Sequence, residues 1–348
     1  MNPLFYFKCG RNLVIPRNCI TFANEMMNEE KPLVSFILTY YNLPVQMLCE
    51  CIDSILALSL TPEEREIIVV DDGSDTSPMN GLMQYGDVII YVRQKNSGLS
   101  MARNKGIEMA QGTYLQFVDA DDHLIQAPYE HCLDMIRTNS DIDMVMFDFT
   151  SNKAYDTDYH DSDIMTGSEY MLKHNIHGTA CGYLCKRTTL SKLRFTPGIW
   201  HEDEEFTPQL LIRAEHVCAT DAKAYYYYKH KGTITTHADE ESKAKRFDDI
   251  RGVLDRLQYL CDRVPQADRL ALQRRVAQLT MDYIYQVIIQ KRSRKALNAC
   301  IDELSSKGLF PLPDRNYSQK YKWFRTMTNS RIGRCILLTT IPMMKKER

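Results

Sequence analysis

Tyr114-Leu-Gln-Phe-Val118 runs directly into Asp119-Ala-Asp121-Asp122. An apolar, β-prone run ending in three carboxylates within four residues is costly to fold. Like charges at the end of a buried strand repel, and desolvation disfavours their ionised forms. A divalent cation is the simplest compensation, since Mg²⁺ and Mn²⁺ favour carboxylate oxygen and often share their shell with substrate phosphates. In an open α/β sheet this is also where ligands bind, just outside the carboxyl ends of the strands. The plain alternative is a helix start, because Asp caps helix N-termini and acidic first turns suit the dipole. Asp122 fits that alternative as well as it fits a metal contact.

Working outward, Leu33–Leu38 and Glu66–Val70 are apolar runs that predict buried strands, and Asp87–Val92 predicts a third. Between them Val45, Leu48, Ile52, Ile55 and Leu56 recur at helical spacing behind Pro44, and Gly98 to Ala110 predicts a second helix. A helix over Ala127–Asn139 and a strand over Asp143–Phe147 continue the alternation. Such alternation implies a mostly parallel sheet with right-handed crossovers. Residues 151–167 are polar and irregular. Beyond about 245 the pattern is helical, with Ile250, Leu254, Leu257 and Leu260 at heptad-like spacing.

The 348 residues suffice for one large domain and an appendage. Charged residues are 25%, apolar ones 44% and net charge −2, so nothing global points to nucleic acid. The eleven cysteines are odd in number, contain no CxxC and predict free thiols in a reducing compartment. The first residues lack an apolar signal core, and no run of about 18 apolar residues occurs. A cytoplasmic protein is expected.

Two acidic strand ends thus stand out: Asp71-Asp72 after one apolar strand, and Asp119, Asp121 and Asp122 after another. A carboxylate at an early strand end can bond a ribose or a base, and a later DxD can hold the metal bridging a diphosphate. Between them Arg93-Gln-Lys-Asn-Ser-Gly-Leu-Ser-Met-Ala-Arg-Asn-Lys-Gly106 offers a Gly-containing helix entry with Lys95 and Arg103, which suits an anion. The plain reading is an ordinary helix start with a solvated Arg.

Val34-Ser-Phe-Ile-Leu-Thr-Tyr-Tyr-Asn42, Val69-Val-Asp-Asp-Gly-Ser-Asp75, Asn96–Gly106 and Phe117-Val-Asp-Ala-Asp-Asp122 resemble, in order and spacing, the family 2 glycosyltransferases of the GT-A fold. Gly182–Arg187, Trp200-His-Glu-Asp-Glu-Glu-Phe206 and Tyr225–Thr235 resemble later blocks of that family more loosely, with Thr233 in place of Ser, and the resemblance fades after about 240. It implies an α/β GT-A fold, a Rossmann-like, mixed, mostly parallel sheet flanked by helices, with a C-terminal helical extension. The implied domains are an N-terminal extension 1–31, a catalytic domain 32–240 (a nucleotide-sugar half 32–125 and an acceptor half 126–240) and a helical region 241–348.

The resemblance also implies roles. Thr39 and Tyr41 line the nucleotide pocket, Tyr41 stacking on the base. Asp72, or less fittingly Asp71, bonds the base. Asn96, Gly98 and Arg103 belong to the donor site, and Asp119 touches ribose or metal. Asp121 is the main ligand of Mn²⁺ or Mg²⁺, with Asp122 a second candidate and His237 a late one. Asp203 is the general base, Glu202 and Glu204 being its alternatives. The implied reaction is inverting transfer from a nucleoside-diphosphate sugar, a UDP-sugar first, to a glycan or lipid-linked hydroxyl. No Gln-x-x-Arg-Trp block follows Asp203, which favours single-residue transfer over processive polymerisation.

Each residue has a plainer reading: Tyr41 and Tyr225–Tyr228 as strand aromatics, Glu202–Glu205 as an acidic first helix turn, His237 and His230 as ordinary surface or core residues. Rival enzymes fit poorly. A haloacid-dehalogenase-type phosphatase would leave Asp71-Asp72 unexplained, and a nicotinamide dehydrogenase needs GxGxxG where Thr39-Tyr-Tyr-Asn42 stands. A nucleotidyltransferase would open with a Gly-rich, basic loop. A non-catalytic nucleotide-sugar-binding protein remains the rival outside enzymology. Finally, Arg274-Arg275, Lys291–Lys295 and Lys345–Arg348 are basic, and Ile332 to Met344 is apolar with basic ends. These fit either a helical bundle with a solvated basic face or peripheral contact with the inner face of the cell membrane.

Overall fold

The computed structural model describes residues 31–152, 158–229, 239–315 and 317–344. The anticipated strand at 114–118 forms as β4 (Tyr114–Asp119), and the other early runs form β1 (Val34–Tyr40), β2 (Arg65–Asp71) and β3 (Ile89–Arg93). Every residue of β1 is buried. Its near-continuous apolar sequence is what a central parallel strand covered on both faces requires.

Eight strands make one sheet in the order β3-β2-β1-β4-β7-β6-β8-β5, adding β5 (His123–Leu124), β6 (Met144–Thr150), β7 (Tyr183–Lys186) and β8 (Val217–Tyr226). The first four strands are mutually parallel. Antiparallel β7 then joins β4 to β6, which pairs parallel with β8. The short β5 and β7 carry too few residues for a periodic signal, and the sequence pattern does not announce them.

Helix α1 (Val45–Leu56) packs on β5, α3 (Leu99–Met109) packs on β1 and β2, and α4 (Gln126–Thr138) packs on β8 and β6, with a short α2 (Met79–Leu82) after β2. Helix α1 buries Leu48, Ile52 and Ile55 of the stripe that the spacing predicts, together with Cys49 and Cys51, while Val45 and Leu56 are only partly buried. Helix α3 comes unusually close to the sheet at Gly106, where a Cβ would lie 2.2 Å from Ile37 Cγ2. Only glycine fits that approach. The described cysteines are free thiols, all buried except Cys335.

The chain forms two compact units, and they cut across a single division near residue 240. Among the described residues, one comprises those from 31 to 165 with 179–198 and 213–229; the other joins 166–178 and 199–212 to those from 239 to 344. The second unit is helical: α5 (Gly167–Lys173), α7 (Glu202–Leu211), α8 (Glu240–Cys261), α9 (Gln266–Lys291), α10 (Arg294–Ser306), α11 (Gln319–Asn329) and α12 (Arg331–Met344). The four-residue α6 (Arg187–Leu190) belongs to the first unit.

Polar ties explain why the two early segments join the late helices. Arg274 donates to the Met171 carbonyl and to Asn175 Oδ1, and Arg275 donates to the Ile176 carbonyl. The expected solvated basic face is therefore corrected at Arg274 and Arg275, which are 4% and 6% exposed. They lie on the buried stripe of α9 among Leu272, Val276 and Leu279, and they satisfy backbone carbonyls there.

Candidate active site

The carboxyl ends of β2, β1 and β4 lie side by side. Tyr40 is the register partner of Asp71, and Thr39 of Asp119. In the strand order 3-2-1-4 the sheet is built outward in opposite directions from the β1/β4 junction, which makes this edge a topological switch point.

Asp119 ends β4 with its side chain 36% exposed. Arg103 of α3, 4% exposed, donates to Asp119 Oδ1 at 3.1 Å, and its guanidinium lies 5.3 Å from the Phe195 ring centre. The charge that sequence reading directs at a bound anion is delivered inward, to the strand end. Asn104, the next residue, exchanges two hydrogen bonds with the backbone of Phe195, each 2.8 Å, and so fixes that ring's segment.

Asp122 is 3% exposed and is tied to the end of β8. It accepts from the Tyr225 hydroxyl and from the Tyr228 amide, both at 2.8 Å. It does not cap a helix: α4 starts at Gln126 behind Ile125. Burial, reinforced by the neighbouring Asp119 charge, pushes its carboxyl up to about 8. Asp121, partly exposed, lines an open cavity of about 570 Å³ with Asp122, Glu50, His123, Tyr226 and Tyr228.

The other acidic pair is built into the loops. Asp71 is fully buried and accepts from the Ser74 amide at 2.8 Å and the Tyr91 hydroxyl at 2.7 Å, with Arg93 Nε 3.5 Å away. Asp72, 5% exposed, accepts from Gln94 Nε2, the Ser97 amide and the Gly98 amide at 2.7–2.9 Å. It thereby shapes the entry to α3, where Gly98 takes φ 87°, a conformation that suits glycine. Asn96 stands exposed in that loop. Tyr41 is 45% exposed beside a reciprocal pair, Asn42 Nδ2 to Asp75 (3.1 Å) and the Asp75 amide to Asn42 Oδ1 (2.8 Å). Asn42 and Asp75 were visible only as members of motif blocks, because their pairing spans 33 positions.

Thr39, Asp71 and Asp119 thus lie at one sheet edge, with Tyr41, Asp72, Asn96, Gly98 and Asp121 in its loops and Arg103 on the adjoining α3. His237 lies outside the described residues. Asp203 belongs to the second unit, in the first turn of α7 between Glu202 and Glu204, and its Oδ1 accepts the Glu204 amide at 2.9 Å. His201 precedes it in a left-handed conformation, φ 63°.

Residues 35–190 match the model of glycosyl transferase family 2. This segment is a family 2 glycosyltransferase domain. Similar curated proteins include the uncharacterized glycosyltransferase YibD of Escherichia coli strain K12, 27% identical over 228 residues (60% of this chain, 65% of the relative). EpsJ of Bacillus subtilis strain 168, another uncharacterized glycosyltransferase, is 32% identical over 222 residues (59% and 63%). The match therefore spans just under two thirds of each relative. Among solved structures, S. aureus TarS 1–349 in complex with UDP-GlcNAc superposes with a TM-score of 0.64 at 15% identity, over 90% of this chain and 91% of that one. Mannosyltransferase PcManGT from Pyrobaculum calidifontis, in complex with GDP-Man and Mn²⁺, gives 0.55 at 13% identity, over 88% and 86%. At such identities the likeness is one of fold, and the family 2 domain with its helix-flanked mixed sheet has the GT-A architecture.

Proposed function

We propose that the chain transfers a single sugar, with inversion, from a nucleoside-diphosphate sugar to a hydroxyl of a glycan or lipid-linked acceptor. The observation that carries this reading is the alignment of Thr39, Asp71 and Asp119 at the switch point, with Tyr41 and Asp121 presented beside them. In this reading Tyr41 stacks on the base and Asp72 has one remaining lone-pair direction for it. The exposed side of Asp119 meets ribose. UDP is the first nucleotide to test, since the TarS structures hold UDP or UDP-GlcNAc. The similar chain named minor teichoic acid biosynthesis protein GgaB supports a cell-surface polymer as acceptor.

The donor atoms present suit Mn²⁺ or Mg²⁺. Among the described residues no three His, Cys, Asp or Glu side chains form a ready-made cage. A hard cation held by one or two carboxylates and completed by substrate phosphates needs none. Asp121 would hold it, with Asp119 as a second oxygen donor and His237 as a late candidate. Such an ion, when bound, neutralises charge on the departing diphosphate. Asp203, as general base, takes the acceptor proton while the hydroxyl oxygen bonds the anomeric carbon and the bond to the β-phosphate oxygen breaks. Base assistance of this kind is typically worth ~10²–10⁴-fold.

No described helix is long and apolar enough to cross a membrane. Residues 315–344 contain six basic residues and no acidic one, and α12 exposes Ile332, Ile336 and Met343 along one stripe. That pattern supports peripheral contact with anionic lipid at the inner face of the membrane, with a cytoplasmic catalytic domain.

Thermal-shift screening of UDP-, GDP- and dTDP-sugars with Mn²⁺, followed by nucleotide-release assays, tests the proposal. A stabilising nucleotide sugar that turns over supports it. Binding without turnover under any acceptor would instead identify a nucleotide-sugar-binding protein.

A further inference from the structure

The first turn of α7 carries four consecutive carboxylates, Glu202 to Glu205, and two of them, Glu202 and Glu205, are buried. A helix dipole stabilises a nearby anion by only about 0.3–1 kcal/mol at an exposed site, so it cannot by itself hold this charge. The late helices supply the rest. Arg256 of α8 grips Glu205 with both arms of its guanidinium, at 2.7 and 3.0 Å. Arg275 of α9 bonds Glu204 with Nη2 and the Ile176 carbonyl with Nη1 (2.8 Å). Gly178 closes the pocket from behind, since a Cβ there would lie 2.1 Å from Glu204 Oε2.

We propose that Arg275 is a positioning residue for Asp203: by clamping Glu204 against the 176–178 segment it fixes the turn on which the Asp203 carboxylate sits. The inference rests on Asp203 being the base, and it adds a residue far outside the segment that the family model matches. The linkage is short. Glu204 donates its amide to Asp203 Oδ1, so fixing Glu204 fixes the orientation of its neighbour. The buried guanidinium and the Asp203 charge also attract one another. Other charges face this turn from each surrounding element: Glu202, Glu204 and Glu205 on α7 itself, Arg246, Asp249 and Arg256 on α8, and Asp282 beside Arg275 on α9. His201 and His177 flank it in the preceding segments. Of these cations, Arg275 is the one joined to the residue that bonds Asp203.

The test compares Arg275→Met, Arg275→Lys, Gly178→Ala and Asp203→Asn with the full-length parent. Readouts are UDP release from UDP-sugars with Mn²⁺ across pH, thermal unfolding, and a ¹³C titration of the Asp203 carboxyl in aspartate-labelled protein, its signal assigned by Asp203→Asn. Arg275→Met should lower kcat at least tenfold with donor KM within about threefold. It should also raise the Asp203 titration and the acid limb of the rate profile by about one pH unit. Arg275→Lys keeps the charge and loses the fork, so the limb should return while kcat stays low. Gly178→Ala displaces Glu204 with Arg275 intact, so kcat should fall with the limb unmoved, and it serves if Arg275→Met fails to fold. Parent-like kcat and parent-like titration in folded Arg275 variants would overturn the role of Arg275 while leaving the base in place, provided Asp203→Asn is inactive. An active Asp203→Asn would overturn the base assignment and this inference with it.

Discussion

Arg103 donates to Asp119 from a helix position that is almost wholly enclosed, which ties the DxD strand end to α3. Replacing it by Met leaves Asp119 without that partner at a half-closed strand end. Arg103→Met is expected to cost about 1–3 kcal/mol of stability and to weaken nucleotide-sugar binding at least tenfold. Denaturant unfolding and calorimetric titration with UDP-GlcNAc and Mn²⁺ check both; parent-like values in each would show that the pair is incidental.

Asp121 lines the cavity and is partly exposed. Asp121→Asn should abolish Mn²⁺-dependent nucleotide release while changing stability by no more than about 0.5 kcal/mol. Retained metal-dependent turnover would move the metal to other oxygens.

Gly106 predicts a steric relationship that two mutations can isolate. Gly106→Ala should destabilise by about 1–3 kcal/mol, since its Cβ would lie 2.2 Å from Ile37 Cγ2. Adding Ile37→Ala opens the contact, and the double mutant should lose less than the sum of the singles. Strict additivity in a double-mutant cycle would deny the contact.

His201 supplies a pH prediction. Burial, assisted by the Arg246 charge, holds its imidazole below the usual 6.5. The folded state therefore binds fewer protons than the unfolded chain. Stability is complete above 6.5 and is lost as pH falls through the lowered folded value. Asn accepts the left-handed conformation found there and does not titrate. Melting temperatures between pH 7.5 and 5 should fall more steeply for the parent than for His201→Asn; parallel curves would remove His201 from the acid response.

For the tail, Ile332→Glu with Ile336→Glu should reduce co-sedimentation of the full chain with vesicles containing anionic lipid, most clearly at low salt. Equal sedimentation of parent and variant would reject lipid contact through this stripe.

What was legible in the sequence follows from range. The strands at 34–40, 65–71 and 114–119 are continuous apolar runs, and their acidic ends are contiguous with them, so local pattern sufficed for both. The internal bonding of Asp71 and Asp72 was not legible, because an acidic strand end looks the same whether it faces a ligand or gathers backbone amides 25 residues on. Arg275 was hidden more deeply. Its partner Glu204 is 71 positions away, and two adjacent arginines on a helix carry no mark that distinguishes a buried clamp from a solvated face. The division of the chain into its units was obscured for the same reason, since the segments 166–178 and 199–212 are claimed by helices that come much later.

The commitment of Asp72 to Gln94, Ser97 and Gly98, together with the Asn42–Asp75 pair, separates two kinds of acidic-loop residue. Those that hold the loops together, the buried Asp72 and the exposed Asn42–Asp75 pair alike, are committed to partners within the frame. Those that stand outward on the same loops, Tyr41, Lys95 and Asn96, can vary with no refolding. In the proposed donor site these three positions are exposed, and a library confined to them is the place to look for altered donor preference.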